Sequence, residues 1–207
     1  MAHTGTHTAR GPDRATGRPR EFDEAEAVRA ARDLFWRQGY HGTSVADLVE
    51  GLGVLRGSLY AAFGDKHGLF LRALACYADE VRAVAATLGA NGPVLPRLRA
   101  ILVGVLDAAA ARPGAGCMLG NTATELLPAD ADAGAVVAGA FAALESALTD
   151  ALARGQAAGE VRTGVAPGAL ARLHLALLEG LHVLARTERD PARLADAVDV
   201  AMRSFAA

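Results

Sequence analysis

Residues 43–70 read TSVADLVEGLGVLRGSLYAAFGDKHGLF, and this stretch decides the fold. Thr43 and Ser44 are good N-caps, because a side-chain oxygen satisfies the free N–H groups of a first helical turn. Val45, Leu48, Val49 and Leu52 then recur at helical spacing and face inward. Gly51-Leu52-Gly53 closes this short helix, and Gly53 supplies the positive φ that a tight turn demands. Val54 fills the space beneath the turn. A third helix opens around Leu55 to Gly57 and stops near Phe63-Gly64. Asp65 caps a long fourth helix carrying Leu69, Ala73, Cys76 or Tyr77, and Glu80 or Val81, which ends at Gly89 before the breaker Asn91-Gly92-Pro93.

Upstream, Asp23 and Glu26 have capping-box spacing at the start of a first helix. Val28, Ala31 and Phe35 form its apolar stripe, Gly39 stops it, and Tyr40 folds back over its last turn. Three helices in about 45 residues, with a glycine turn between the second and third, make a helix-turn-helix. The second helix must pack on the third, so Val45, Leu48 and Val49 are expected to be buried against Leu59. The third must expose a face, and Arg56, Gly57, Ser58, Ala61 and Ala62 are small or polar enough to approach base edges and phosphates.

Downstream, helical spacing continues and strand alternation is nearly absent, so the fold class is all-α with about nine helices. Expected helices run over 96–111, 122–127, 132–158, 167–187 and 191–205. Thr122 and Glu125 have capping-box spacing in the second of these, and Pro167 and Pro191 open the last two. Leu170, Leu173, Leu177, Leu181 and Leu184 make one stripe; Leu194, Val198, Ala201 and Phe205 make another. Two such stripes on neighbouring helices suit a four-helix interface between two copies, and packing within one lobe is the alternative.

The chain has 207 residues, 52% hydrophobic and 21% charged, so it can bury a sizeable core. Its formal net charge is -2, and residues 1–66 hold nine Arg or Lys against nine Asp or Glu. Attraction for nucleic acid must therefore come from local placement of cations and helix ends. Cys76 and Cys117 are the two cysteines; that is neither a disulfide framework nor a zinc spacing, and it suits a reducing cytosol. No apolar run reaches the ~18 residues of a membrane span, and residues 1–17 lack the apolar segment of a secretory signal, reading instead as a weakly basic, disordered tail. No nucleophile set or phosphate loop appears, so no enzyme and no cofactor is expected. His174 and His182 are ~12 Å apart by helical rise, too far to share a metal.

Gly17-Arg18-Pro19-Arg20, Leu34-Phe35 with Gly39-Tyr40, Thr43-Ser44, and Gly53-Val54 followed by Gly57-Ser58-Leu59-Tyr60, Phe63, Asp65-Lys66 and Leu69-Phe70 together resemble the DNA-binding domain of the TetR family of transcriptional repressors. The resemblance implies a head over residues 18–66 and a ligand-binding, dimerising lobe over 67–207. It implies operator DNA, a small-molecule effector and a second copy, held through the last two helices, as partners, and a cytoplasmic location without membrane attachment. Thr43, at a helix N-terminus, is expected to bond a phosphate. Tyr60 and Lys66 resemble the family's phosphate-contacting tyrosine and lysine. Arg56 and Ser58 are expected at bases or phosphates, with Gly57 and Ala61 on the same face. Arg18 and Arg20 are expected to reach a phosphate or the minor groove from a flexible arm. Taken singly, Tyr60 suits a core and Lys66 a solvated face.

Two departures stand out. Leu55 occupies the cap position of the third helix where relatives carry Ser, Thr or Asn, and Val49 replaces a small residue between the packed helices. A helical small-molecule-binding or thiol-sensing protein with weakened DNA binding is therefore the alternative reading. Expected linings of an effector pocket are Tyr77, Leu102, Leu106, Met118, Asn121, Phe141, Leu144, His174 and Leu178, apolar with a few polar points. The stretch from Gly116 to Leu126 resembles a branch of the same family. If Cys117 lies at a helix N-terminus, its thiolate is stabilised and reactive, making it a sensor thiol; a small buried cysteine acting as a hydrophobe is the alternative.

Overall fold

A computed structural model of the chain describes residues 23–188 and 190–207. Arg18, Arg20 and the tail over 1–17 lie outside the described residues. Among those described, the elements are nine helices: α1 (Glu24–Gly42), α2 (Val45–Leu52), α3 (Arg56–Phe63), α4 (Lys66–Thr87), α5 (Leu95–Ala111), α6 (Met118–Leu126), α7 (Ala131–Ala157), α8 (Pro167–Leu184) and α9 (Pro191–Phe205). The expected all-α architecture is found, with one isolated antiparallel bridge between Val161 and Ala206.

The local signals act as their chemistry dictates. The Asp23 carboxylate accepts from the Ala25 and Glu26 N–H groups and starts α1. Ser44, rather than Thr43, caps α2 through a reciprocal box with Asp47. The α2–α3 turn passes through Gly53 at φ 64°, ψ 30°, the left-handed region open to glycine. Asp65 accepts from Gly68 N–H at the start of α4. Two boundaries differ from expectation. Helix α1 continues past Gly39 to Gly42 across a kink, with Gly39 itself at φ 76°. Helix α6 starts at Met118, earlier than Thr122; the Thr122 hydroxyl donates within the helix to the Met118 carbonyl, which leaves Glu125 free for another partner.

Two cores hold the molecule. One joins the head to α4, α6 and the first half of α7: Leu48, Leu59, Phe35 and Phe70 pack with Met118, Leu119, Leu126 and Val137. The Phe35 and Phe70 rings meet edge to face at 5.1 Å. Leu48 and Leu59 are fully buried, whereas Val45 and Val49 are half-buried, so Leu48 carries most of the α2–α3 seam. The other core unites α5, the second half of α7, α8 and α9 around Leu98, Leu102, Leu148, Leu152, Val198 and Phe205. Helix α7 is long and apolar enough by composition to cross a bilayer, yet it runs between α4 and α8 with Ala140, Leu144, Leu148 and Leu152 buried.

Leu55 is the N-cap residue of α3 and makes no capping bond; its side chain is 78% exposed. Burial therefore explains nothing about this leucine, and the first turn of α3 goes without a side-chain acceptor. Leu55→Ser restores the acceptor at no cost in core, and is expected to raise unfolding free energy by about 1 kcal/mol in denaturant titrations. Leu48→Ala, at the seam, is expected to lower it by about 2–5 kcal/mol.

Candidate nucleic-acid interface and effector cavity

Helix α3 turns Leu59 and Phe63 inward and leaves Arg56, Gly57, Tyr60 and Ala61 exposed, with Ser58 half-buried. The expected reading face is thus one continuous surface. The Arg56 guanidinium donates to the Tyr60 hydroxyl at 3.3 Å and lies 5.6 Å from its ring centre, so the two side chains stand together. A Cβ on Gly57 meets nothing within 4 Å, so internal packing does not require glycine there. Lys66 opens α4 with its ammonium 4.2 Å from the centre of the Tyr40 ring, a contact that orients the cation beside α3.

Thr43 does not sit where a phosphate could reach its side chain. It is fully buried, and its hydroxyl donates to the Gly39 carbonyl at 2.7 Å. The side chain closes the α1–α2 corner and is not open to a phosphate; Ser44, exposed at the start of α2, takes the position that Thr43 was expected to fill.

Polar contacts hold this head and the start of α4 against the rest of the chain. Both oxygens of Glu125, on α6, accept backbone N–H groups just past the α1 kink: Tyr40 at 3.0 Å and His41 at 2.7 Å. A Cβ on Gly39 would stand 2.8 Å from that carboxylate, so glycine is required there for space as well as for φ. The Trp36 indole donates to the Gly116 carbonyl at 2.8 Å. His67, on α4, meets Asp130, the cap of α7, at 2.7 Å. Asp130 is held below the usual carboxylate range, first by its bond from Ala133 N–H and then by His67. No sequence signal pointed to Glu125 in this role, because its capping-box spacing offered a local explanation.

Beyond the head, a cavity of about 550 Å³ lies between α4, α5, α7 and α8. Its walls include Tyr77, Val81, Ile101, Val105, Leu144, Leu178, Arg97 and His182. Tyr77, Leu144 and Leu178 were expected. Leu102, Met118 and His174 are instead fully buried core, and Leu106 and Phe141 pack against the two cores. The His174 ring bonds the Leu98 carbonyl at 3.2 Å, and burial holds its pKa down. Asn121 donates to the Ala115 carbonyl and accepts from Arg186. The error on α5 is one of rotation: the large Leu98 and Leu102 seek the core, while Arg97, Ala100, Ile101 and Gly104 face the cavity, the small residues leaving room. Arg97 donates one guanidinium nitrogen to the Asn91 carbonyl; its Nη1 is buried with no partner among the described residues.

Cys117 is the N-cap of α6 and its sulfur accepts from Gly120 N–H at 3.4 Å, as the sensor argument required. The environment outweighs the helix end. Burial first, and the Glu179 carboxyl second, push the thiol up to about 12, so it is protonated at neutral pH and a poor nucleophile. Burial likewise raises Glu179 and Tyr77, and depresses His182 to about 4. The sulfur, a Glu179 oxygen and a His182 nitrogen lie within 4.8 Å of one another.

A small head presenting one exposed helix face, fastened to a lobe with an open apolar cavity, is the build of a helix-turn-helix transcriptional regulator. The comparisons narrow this. Residues 27–73 match the family described as bacterial regulatory proteins, tetR family, and residues 94–201 match the tetracyclin repressor-like C-terminal domain. The chain belongs to the TetR family. It is 31% identical to the HTH-type transcriptional repressor ComR of Escherichia coli over 84% of each chain. It is 34% identical to the HTH-type transcriptional regulator YezE of Bacillus subtilis over 90% of this chain and 97% of that one. Among solved structures, a TetR-family regulator from Agrobacterium tumefaciens superposes with TM-score 0.81 at 25% identity, covering 89% of this chain and 97% of that chain. The regulator CifR, solved as a cysteine mutant with 26-base-pair operator DNA, superposes with TM-score 0.77 at 29% identity, covering 91% and 100%.

The Glu125 contact gives a stability prediction. Glu125→Ala removes a charged acceptor from two backbone donors and is expected to cost about 1.5–3 kcal/mol, with Glu125→Gln costing less because one carbonyl oxygen remains. Chemical denaturation of the two variants checks this; an alanine variant as stable as the parent would show that the contact does not hold the head.

Proposed function

We propose that the chain is a dimeric repressor that binds operator DNA through α3 and is released by a small molecule held in the lobe over residues 67–207. The observation that carries the reading is the exposed face of α3, where Arg56 and Tyr60 stand together beside a glycine that packing does not need. Arg56 and Ser58 read bases or phosphates, Gly57 lets the helix approach closely, and Ala61 meets little beyond a thymine methyl. Tyr60, Lys66 and the N-terminus of α2 at Ser44 grip phosphates, and Arg18 and Arg20 extend the contact from the N-terminal arm. Such a role places the protein with the DNA, in the cytoplasm.

A second copy supplies the second half-site. On α8, Leu173 and Leu184 are exposed with Leu177 half-buried between them, and Val200 is exposed on α9. Leu170, Leu181, Leu194, Val198 and Phe205 of the two stripes turn into their own lobe, so the interface uses the remaining face of these helices. The cavity favours an effector with an apolar body and one acidic group, which meets the Arg97 guanidinium.

The test is binding of the purified chain to DNA from upstream of its own coding region, followed by fluorescence anisotropy across a salt series. Sharp, strongly salt-dependent binding is expected. Tyr60→Ala with Lys66→Ala should weaken it at least tenfold and reduce the salt slope by about one, the share of Lys66, since the neutral tyrosine releases no counterion. Gly57→Leu should abolish it while leaving unfolding free energy within about 1 kcal/mol of the parent. Failure to bind any genomic fragment overturns the operator reading in favour of a helical ligand-binding protein.

A further inference from the structure

Cys117, Glu179 and His182 form a cluster that the effector cavity alone does not account for. Their ligand atoms lie within 4.8 Å of one another, and Cys117 is buried while the other two are half-buried. Glu179 and His182 are three positions apart on α8 and share a face; Cys117 faces them from the start of α6. We propose that these three residues bind a thiophilic divalent cation of the Zn2+ class, its remaining coordination position turned toward the cavity lined by Tyr77 and His182.

The donor set is one sulfur, one imidazole nitrogen and one carboxylate oxygen, which suits a borderline-soft tetrahedral ion and is poorly suited to calcium or magnesium. Bonds of about 2.0–2.3 Å around such an ion place neighbouring ligand atoms about 3.3–3.8 Å apart, so closing the site from a 4.8 Å spread needs side-chain adjustments of an ångström or so. Three protein ligands with a fourth position open is the arrangement of a site that accepts an exogenous donor. The thiol proton leaves to solvent as the sulfur–metal bond forms. Gly120 makes room for the arrangement, because a Cβ there would collide with the Glu179 carboxylate. The sequence hid the site, since α6 and α7 separate Cys117 from its two partners and the Glu179-x-x-His182 spacing is a weak signal alone.

The ion would fasten the start of α6 to α8, and Glu125 near the other end of α6 holds the head. Occupancy should therefore alter operator affinity, a consequence that rests on the operator-binding reading. The site is tested without DNA. Full-length chain, reduced and stripped with a chelator, is titrated with Zn2+ against a chromophoric chelator and with Co2+ by absorption. One ion per chain and a thiolate-to-Co2+ charge-transfer band are expected. Second-shell losses alone cost about 10–100-fold in metal affinity, so Cys117→Ser should exceed that and erase the band, and His182→Gln and Gly120→Ala should each weaken binding at least tenfold. Cys76→Ser should bind as the parent does. Circular dichroism identifies any variant that fails to fold, and Gly120→Ala, which keeps all three ligands, stands in for it.

Absence of a one-to-one ion overturns the site. So does equal affinity in Cys117→Ser, which places the ion elsewhere on the chain, and so does rapid alkylation of Cys117 in a chain that takes up no ion, which assigns the thiol to covalent chemistry. A second arm compares operator affinity with and without Zn2+. A shift of tenfold or more in the parent and none in Cys117→Ser is expected; equal affinities with a filled site would overturn the regulatory consequence alone.

Discussion

The head is fastened where α1 breaks. Gly39 leaves the helical region of φ and ψ, freeing the next two backbone N–H groups, and backbone donors are obligatory hydrogen-bonding groups. Glu125 satisfies both with one carboxylate, and charge-assisted bonds of this kind are stronger than neutral ones. The acceptor belongs to α6, so the angle at which α1 meets α2 is set by a helix of the other lobe. Helix α3 in turn takes its direction from α2 through Leu48 and Leu59. The surface offered by Arg56, Gly57 and Tyr60 is thus positioned by a chain of packed elements that ends at Glu125.

Much of this was legible in the sequence because it rests on local chemistry. Asp23, Ser44 and Asp65 cap helices with their own side chains, and Gly53 turns the chain by conformation alone; such signals act within four or five residues. The inward face of α3 follows from helical period. What failed depends on neighbours distant in sequence. The cavity wall on α5 required knowing which of two adjacent faces meets α9 and which meets empty space. Thr43 offered a hydroxyl suited to phosphate or to a carbonyl, and only the closeness of Gly39 decides for the carbonyl. Glu125 offered a capping box that went unused because α6 starts four residues earlier.

The Cys117 environment shows magnitude deciding between opposed effects. The start of α6 favours a thiolate, and helix ends typically contribute a fraction of a kcal/mol to about 2 kcal/mol. Removing the sulfur from water and setting a carboxyl beside it acts the other way and wins. The same burial keeps Glu179 protonated further up the pH scale and His182 neutral further down. Burial thereby works against the charged form of all three neighbouring groups.

Both ends of α6 meet a carboxylate at a glycine: Glu125 against Gly39 and Glu179 against Gly120. In each case the missing Cβ is the space the carboxylate occupies. Between these ends Met118, Leu119 and Leu126 are buried in the core that also holds Leu48, Leu59 and Phe35 of the head. A close-packed core of this kind moves between discrete arrangements more readily than it deforms. Anything that binds between α4 and α8 and prefers one placement of α6 must therefore prefer one placement of the α1 kink, by no more than its difference in affinity for the two. A head bound to DNA must, by the same linkage, favour the matching state of the cavity.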